Sequence, residues 1–255
     1  MAQPPALRHS LSVLLLMGCV VSGTSRAAAT PPTLDELLTA VDNTSRGASS
    51  TATLTMHVKN AHYERTMTMD IATQGTERTL IRITAPAKEA GVSTLKVGDK
   101  IWNYLPKVDR TMKIPSGMMG GSWMGSHFTN DDLVKESRYS EDFTGQITES
   151  PATGADHYTV TLTPKPDAPV VWGSITLTIS PEQTPQAVAY YDEDGALIRT
   201  MSFHDVQPVD GVLTPMRIRL TPADEPGEFT ELTYSDLHYN VALPKSTFTL
   251  QALKR

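Results

Sequence analysis

The sequence predicts a mainly β protein, a strongly curved antiparallel sheet of about eleven strands forming an unclosed half-barrel with short helices over its open mouth. Three features of the chain lead there. Apolar residues alternate with polar ones over long stretches, glycine-bearing turns separate the alternating runs, and only two short segments have helical spacing. Strand side chains point by turns to opposite faces, so each alternating run is half buried and half wet. Twist accumulates strand by strand, and one sheet of this length must curl. Its apolar face becomes the concave inside. Two short helices are too little to fill that inside, and the surplus implies an open barrel holding something apolar.

The chain begins with an export address. Arg8 and His9 precede the apolar run Leu11–Val21, which is shorter than the roughly 20 residues a membrane span needs. Ser22–Arg26 leads to Ala27-Ala28-Ala29, a small-residue cleavage site of the secretory type. Residues 1–29 are therefore expected to be a signal peptide, 30–255 a single domain, and the periplasm its destination. A second reading competes, because Leu16-Met17-Gly18-Cys19 resembles a lipobox in which Cys19 would be acylated and anchored. Cys19 is the only cysteine, so the mature chain has no disulfide and must be stable through its core. Thiolate zinc sites and cysteine nucleophiles are excluded with it. The net charge is −6 and becomes −8 once Arg8 and Arg26 leave with the leader. No basic stripe offers phosphate a footprint, so nucleic acid is not an expected partner.

The elements follow in order. Thr33-Leu34-Asp35-Glu36 matches a capping box, and Leu34, Leu37, Leu38 and Val41 continue it as an amphipathic helix over 33–42. After Gly47 the period becomes two, with Leu54/Met56/Val58, Met67/Met69/Ile71, Val160/Leu162, Ile175/Leu177/Ile179 and Met216/Ile218/Leu220 as the apolar sets. Gly98-Asp99, Asp194-Gly195 and Asp210-Gly211 supply the hairpin turns. The exception is 115–136. There Pro115-Ser116-Gly117 breaks the strand, a Gly/Met/Trp stretch follows, and Thr129-Asn130-Asp131-Asp132 starts a second short helix through Glu136.

That exceptional stretch is the candidate site. Met118, Met119, Trp123, Met124 and Phe128 stand in a Gly-rich loop that would ordinarily be polar. Methionine is unbranched and polarizable and suits irregular apolar ligands. The loop is read either as a lid over an acyl-chain cavity or as a plug in the barrel's open end. Enzyme readings fare worse. Gly120-Gly121-Ser122-Trp123-Met124 lacks the second glycine of a nucleophile elbow, Ser126-His127 are merely adjacent, and Asp192-Glu193-Asp194 flank a hairpin glycine. Met118, Met119, Met124 and His127 form a soft donor set that would suit copper(I), a lesser alternative that no second Met/His cluster supports.

The run from Trp102-Asn103-Tyr104-Leu105-Pro106 to Asp131-Asp132-Leu133 resembles the bacterial outer-membrane lipoprotein-sorting protein family, related to the lipoprotein carrier LolA and the receptor LolB. Phe203-His204-Asp205-Val206 with Asp210-Gly211-Val212-Leu213-Thr214-Pro215 is similar to that family's second half. Asn240–Pro244 and Phe248–Leu253 resemble its C-terminal signature. The resemblance spans about Leu34 to Leu253 and implies a half-barrel that shelters acyl chains of lipoproteins or other lipids. It implies no catalytic residue, and no cofactor or metal is expected. Trp102, Tyr104 and Leu105 would line the sheet side of the cavity, and Met118, Met119, Trp123, Met124 and Phe128 the loop side. An inner-membrane transporter is a further candidate partner. A rival reading makes the chain a structural adaptor subunit of an envelope export complex, its interior a filled core.

Overall fold

The computed structural model describes residue 1 and residues 30–44, 47–134, 138–168 and 170–254. The expected leader with Cys19, and the expected end of the second helix at Glu136, lie outside the described residues. Helix α1 spans Leu34–Asn43, one residue later at each end than its spacing predicts. The capping box forms as the sequence reads: the Glu36 amide donates to Thr33 Oγ1 at 3.3 Å and the Thr33 amide to Glu36 Oε2 at 2.8 Å. Leu37, Leu38 and Val41 are its buried stripe.

Among the described residues thirteen strands follow, all in one antiparallel sheet. They are β1 Ser49–Lys59, β2 Glu64–Gln74, β3 Arg78–Ala85, β4 Ser93–Val97, β5 Lys100–Leu105 and β6 Arg110–Lys113. After the mouth segment come β7 Phe143–Glu149, β8 Tyr158–Pro164, β9 Ser174–Ile179, β10 Pro185–Tyr191, β11 Leu197–Val209, β12 Val212–Pro222 and β13 Phe229–Tyr239. The sequence undercounts them because short or polar strands such as β6 and β7 show little alternation. The hairpin turns take positive φ as expected, with Gly98 at +56°, Gly195 at +79°, and Asp210 and Gly211 both positive.

The strand order is β6-β5-β4-β3-β2-β1-β13-β12-β11-β10-β9-β8-β7. Two meanders, one from each half of the chain, therefore join at the β1–β13 pair, and β6 and β7 are the free edges. The sheet does not close. The chain must still pass from one edge to the other, and the segment between Lys113 and Phe143 makes that passage. It carries the Met/Trp stretch, the short helix α2 at Asn130–Val134 and the one-turn helix α3 at Tyr139–Asp142. From Pro32 onward the described residues form one compact unit.

The inner face holds the main core. Leu37, Leu38 and Val41 of α1 pack on Val160, Leu162, Ile175, Leu177 and Ile179. Trp123 packs on Leu54, Met56, Val58, Met67, Met69, Ile81 and Ile83. The outer face is not polar throughout. Leu80 is the neighbour of Ile81 on β3 and must point the other way. It joins Leu95 and Tyr104, and the C-terminal residues Phe248, Ala252 and Leu253 cover all three.

Candidate functional site

The inner face keeps a cavity of about 380 Å³. Leu54 of β1, Ile71 of β2, Ile81 of β3 and Leu232 and Tyr234 of β13 form its sheet wall. Trp123, Phe128 and Leu133 roof it from the mouth segment, and Trp172, Tyr190 and Met201 stand at its far side. A second space of about 580 Å³ shares Ile71, Thr73 and Tyr234 with the first, so the two adjoin along the sheet. Volumes of this order are usual for small-molecule and cofactor sites.

The roof is tied down through its own backbone. The Trp123 amide donates to the Phe128 carbonyl at 2.8 Å, the Ser126 amide to the Trp123 carbonyl at 2.9 Å, and the Asn130 amide to the Gly121 carbonyl at 3.0 Å. Tyr63 Oη donates to the Gly125 carbonyl and Arg65 Nη2 to the Met124 carbonyl, both in short contacts. Gly125 sits at φ +64°, and a Cβ there would meet Tyr63 Oη at 2.7 Å and Arg65 Nη2 at 2.9 Å. Glycine takes that left-handed conformation without strain, and any larger residue would also push the Tyr63 and Arg65 side-chain ends aside. The Trp123 ring is 3% exposed, and its Nε1 donates to Thr94 Oγ1 at 3.3 Å. A plug is the better description of this residue.

One charged pair enters the cavity wall. Arg199, on β11, grips Asp132 of α2 with two bonds, Nη1 to Oδ2 at 2.9 Å and Nη2 to Oδ1 at 2.6 Å. Its guanidinium also stacks against Trp172 and Tyr190, at 4.6 and 4.9 Å from the ring centres. Burial pushes the Asp132 carboxyl up. The bonds and charge of Arg199, with two bonds from Thr129, outweigh burial and hold it below the ordinary aspartate range. Behind this pair, Asp42 of α1 accepts the amides of Tyr139 and Ser140 at 2.8 and 3.0 Å and so fixes the start of α3. Tyr139 Oη meets Tyr190 Oη at 3.2 Å, and burial raises both phenols above their usual range.

Of the residues singled out from the sequence, Trp123 and Phe128 line the main cavity. Met124 packs at the edge of the Trp123 cluster. Trp102 and Tyr104 lie on the outer face with Leu95 and the C-terminal segment, since Trp102 pairs directly with Leu95 and side chains of paired residues share a face. Leu105, one residue further along β5, is half buried and is not among the cavity's lining residues. Met118 is 60% exposed, Met119 is half buried, and neither lines the cavity. Alternation already placed Leu54 and Ile71 on the apolar face, and it could have named them as wall residues; Ile81 follows Leu80 in a strand that does not alternate. Arg199 had a signal too: it shares inward parity with Met201 and Phe203, an odd position for a charge.

The candidate nucleophiles have local work. Ser126 Oγ donates to the Trp123 carbonyl at 2.7 Å and Ser122 Oγ to the Ser126 carbonyl, while Asp192 Oδ1 accepts the amides of Asp194 and Ala196 within its turn. The ring nitrogens of His127 face oxygen atoms, Nδ1 with Thr230 Oγ1 at 2.8 Å and Nε2 with Glu228 Oε2 at 3.1 Å. No described helix is long and apolar enough to cross a membrane.

Residues 75–255 match a family model described as an uncharacterized protein. No curated protein matches the chain. Three solved structures have the same fold. A DUF1329 family protein from Desulfovibrio piger is 22% identical, with a TM-score of 0.76 and coverage of 86% of this chain and 97% of that one. A LolA superfamily protein from Nitrosomonas europaea is 22% identical, with a TM-score of 0.69 and coverage of 87% and 100%. An outer membrane lipoprotein-sorting protein domain from Vibrio parahaemolyticus is 25% identical, with a TM-score of 0.70 and coverage of 84% and 94%.

Proposed function

The chain belongs to the DUF1329 family, whose model spans residues 75–255, and has the LolA-like fold of the outer-membrane lipoprotein-sorting proteins; from that premise we propose that it is a non-catalytic carrier of acyl chains. Its place of work is the periplasm, reached through the leader at 1–29, and its cargo is a lipoprotein or another lipid. The observation that carries this reading is the apolar, unfilled inner face walled by Leu54, Ile71, Ile81 and Leu232 under Trp123 and Phe128. Each CH₂ taken from water into such a wall gains about 0.8 kcal/mol, so a single chain supplies useful affinity without any chemistry. Both terminal nitrogens of Arg199 are taken by Asp132, which leaves the binding mainly to the cavity's apolar surface.

Lipid extraction and mass spectrometry of gently purified protein should find acyl lipid, and a fluorescent fatty-acyl probe should bind and be displaced by it. Ile71 borders both spaces and is half buried, so Ile71→Asp puts a carboxylate in the path of a bound chain. Probe affinity should fall by about tenfold or more, the equivalent of 1.4 kcal/mol. A wild-type protein that carries no lipid and binds no probe would overturn the carrier reading. The adaptor subunit would then take its place.

A further inference from the structure

We propose that His127, Glu225 and Glu228 form a binding site for a divalent transition-metal ion, zinc foremost, which fastens the mouth segment to the β12–β13 hairpin. Nothing in the carrier reading requires such a site. Its three donors come from two distant parts of the chain, His127 from the segment that roofs the cavity and the two glutamates from the connection between β12 and β13. One donor atom from each lies within 4.8 Å of the others.

The hydrogen bonding here is unusual in one respect. Both carboxylates approach the same ring nitrogen, with Glu228 Oε2 at 3.1 Å and Glu225 Oε2 at 3.7 Å from His127 Nε2. A single N–H has one direction and serves one of them well. A metal ion on the Nε2 lone pair serves both. Zinc bonds to nitrogen and oxygen run about 2.0–2.1 Å, which sets tetrahedral ligand atoms about 3.3 Å apart. The observed 3.1 and 3.7 Å bracket that spacing.

The supporting shell is in place. His127 Nδ1 lies 2.8 Å from Thr230 Oγ1, a hydroxyl that also accepts the His127 amide at 3.0 Å and belongs to a fully buried residue. With Nδ1 protonated, that oxygen accepts both bonds through its two lone pairs, and Nε2 is left free for metal. Glu228 is oriented through its other oxygen, where Oε1 accepts the Ala61 amide at 2.7 Å. A second bond that fixes each ligand is the usual support of a metal centre. Three protein donors leave the fourth position of a tetrahedral ion to water. An imidazole with two carboxylates holds no thioether, so the site suits zinc and its neighbours rather than copper(I).

Glu225 is half exposed, so Glu225→Gln removes one ligand without unsettling the fold, which circular dichroism would verify. Competition against a chromogenic zinc indicator should show one zinc per wild-type protein, with Glu225→Gln and His127→Gln binding at least about tenfold more weakly. X-ray absorption should report nitrogen and oxygen neighbours and no sulfur. Zinc should also slow amide hydrogen exchange across 123–128 in the wild type and not in Glu225→Gln, because the ion pins that segment. The proposal fails if the wild type binds no zinc at tens of micromolar, if Glu225→Gln and His127→Gln bind it unchanged, or if sulfur appears among the neighbours. Each result stands whether or not the cavity holds lipid.

Discussion

The two halves of the sheet cover their inner faces by different means. Over β7–β10 lies α1, whose stripe of Leu37, Leu38 and Val41 meets Val160, Leu162, Ile175, Leu177 and Ile179, and these five strand residues have no exposed surface. Over β1–β3 and β13 lies the irregular mouth segment, which contributes the buried ring of Trp123 with Met124 and Leu133 beside it. A helix offers side chains at a fixed rise and pitch, and it fills the groove it crosses. A segment held through its backbone puts a few side chains where its anchors allow, and the main cavity opens beside them. One half is thus filled, and the other keeps open space under its cover.

Paired substitutions should break this contrast if it is wrong. Trp123→Ala removes a ring that is 3% exposed together with its bond to Thr94, and stability should fall by about 3–5 kcal/mol. It also widens the main cavity, so on the carrier reading probe affinity should change with it. Leu177→Ala in the filled half should cost about 2–5 kcal/mol and leave probe affinity alone. Chemical denaturation and probe titration on the same two variants check both. Probe binding that falls equally in the two would mean that the halves are not functionally distinct.

Acid sharpens the comparison, because one ion pair joins the halves. Arg199 stacks on Trp172 and Tyr190 of the filled side and holds Asp132 of the roofing segment. The Asp132 carboxyl titrates below its unfolded value of about 3.9. The unfolded chain therefore binds the proton first as pH falls, and stability declines with it. The pair's contribution is complete above that value and is lost as pH drops through the lower, folded one. Asp132→Asn should accordingly flatten part of the acid loss of stability followed by tryptophan fluorescence. An unchanged acid profile would show that the halves are joined by packing alone.

Much of the fold could be read from the chain, for identifiable reasons. Thr33 and Glu36 announced α1, alternation announced the half-buried strands, and Asp210-Gly211 announced a hairpin, because each signal is local. What escaped was non-local. Trp102 and Tyr104 look like cavity aromatics until pairing with Leu95 fixes their face, and only then does the cover of Phe248 and Leu253 make sense. Glu225 and Glu228 meet His127 from about a hundred residues away, and no motif spacing could have joined them. The Met-rich loop was conspicuous by composition, yet composition does not say which of its side chains turn inward. Trp123 and Phe128 do; Met118 does not.

Met118 gives the smallest expected effect and the finest test of the roof. Its side chain is 60% exposed, it is the last residue of a three-residue 3₁₀ turn begun at Ser116, and its carbonyl accepts the Gly121 amide at 3.1 Å. The residue thus anchors the roof through its backbone, which Met118→Ser leaves intact. Stability should stay within about 0.5 kcal/mol, as for other exposed substitutions. If the roof is a fixed cover, acyl-probe affinity should also be unchanged, since Met118 does not line the cavity. A several-fold loss of affinity at unchanged stability would mean that Met118 turns onto the ligand when it binds. The segment would then be a moving lid, hinged beside Trp123, and the contrast between a filled half and an open half would become one between a fixed half and a mobile one.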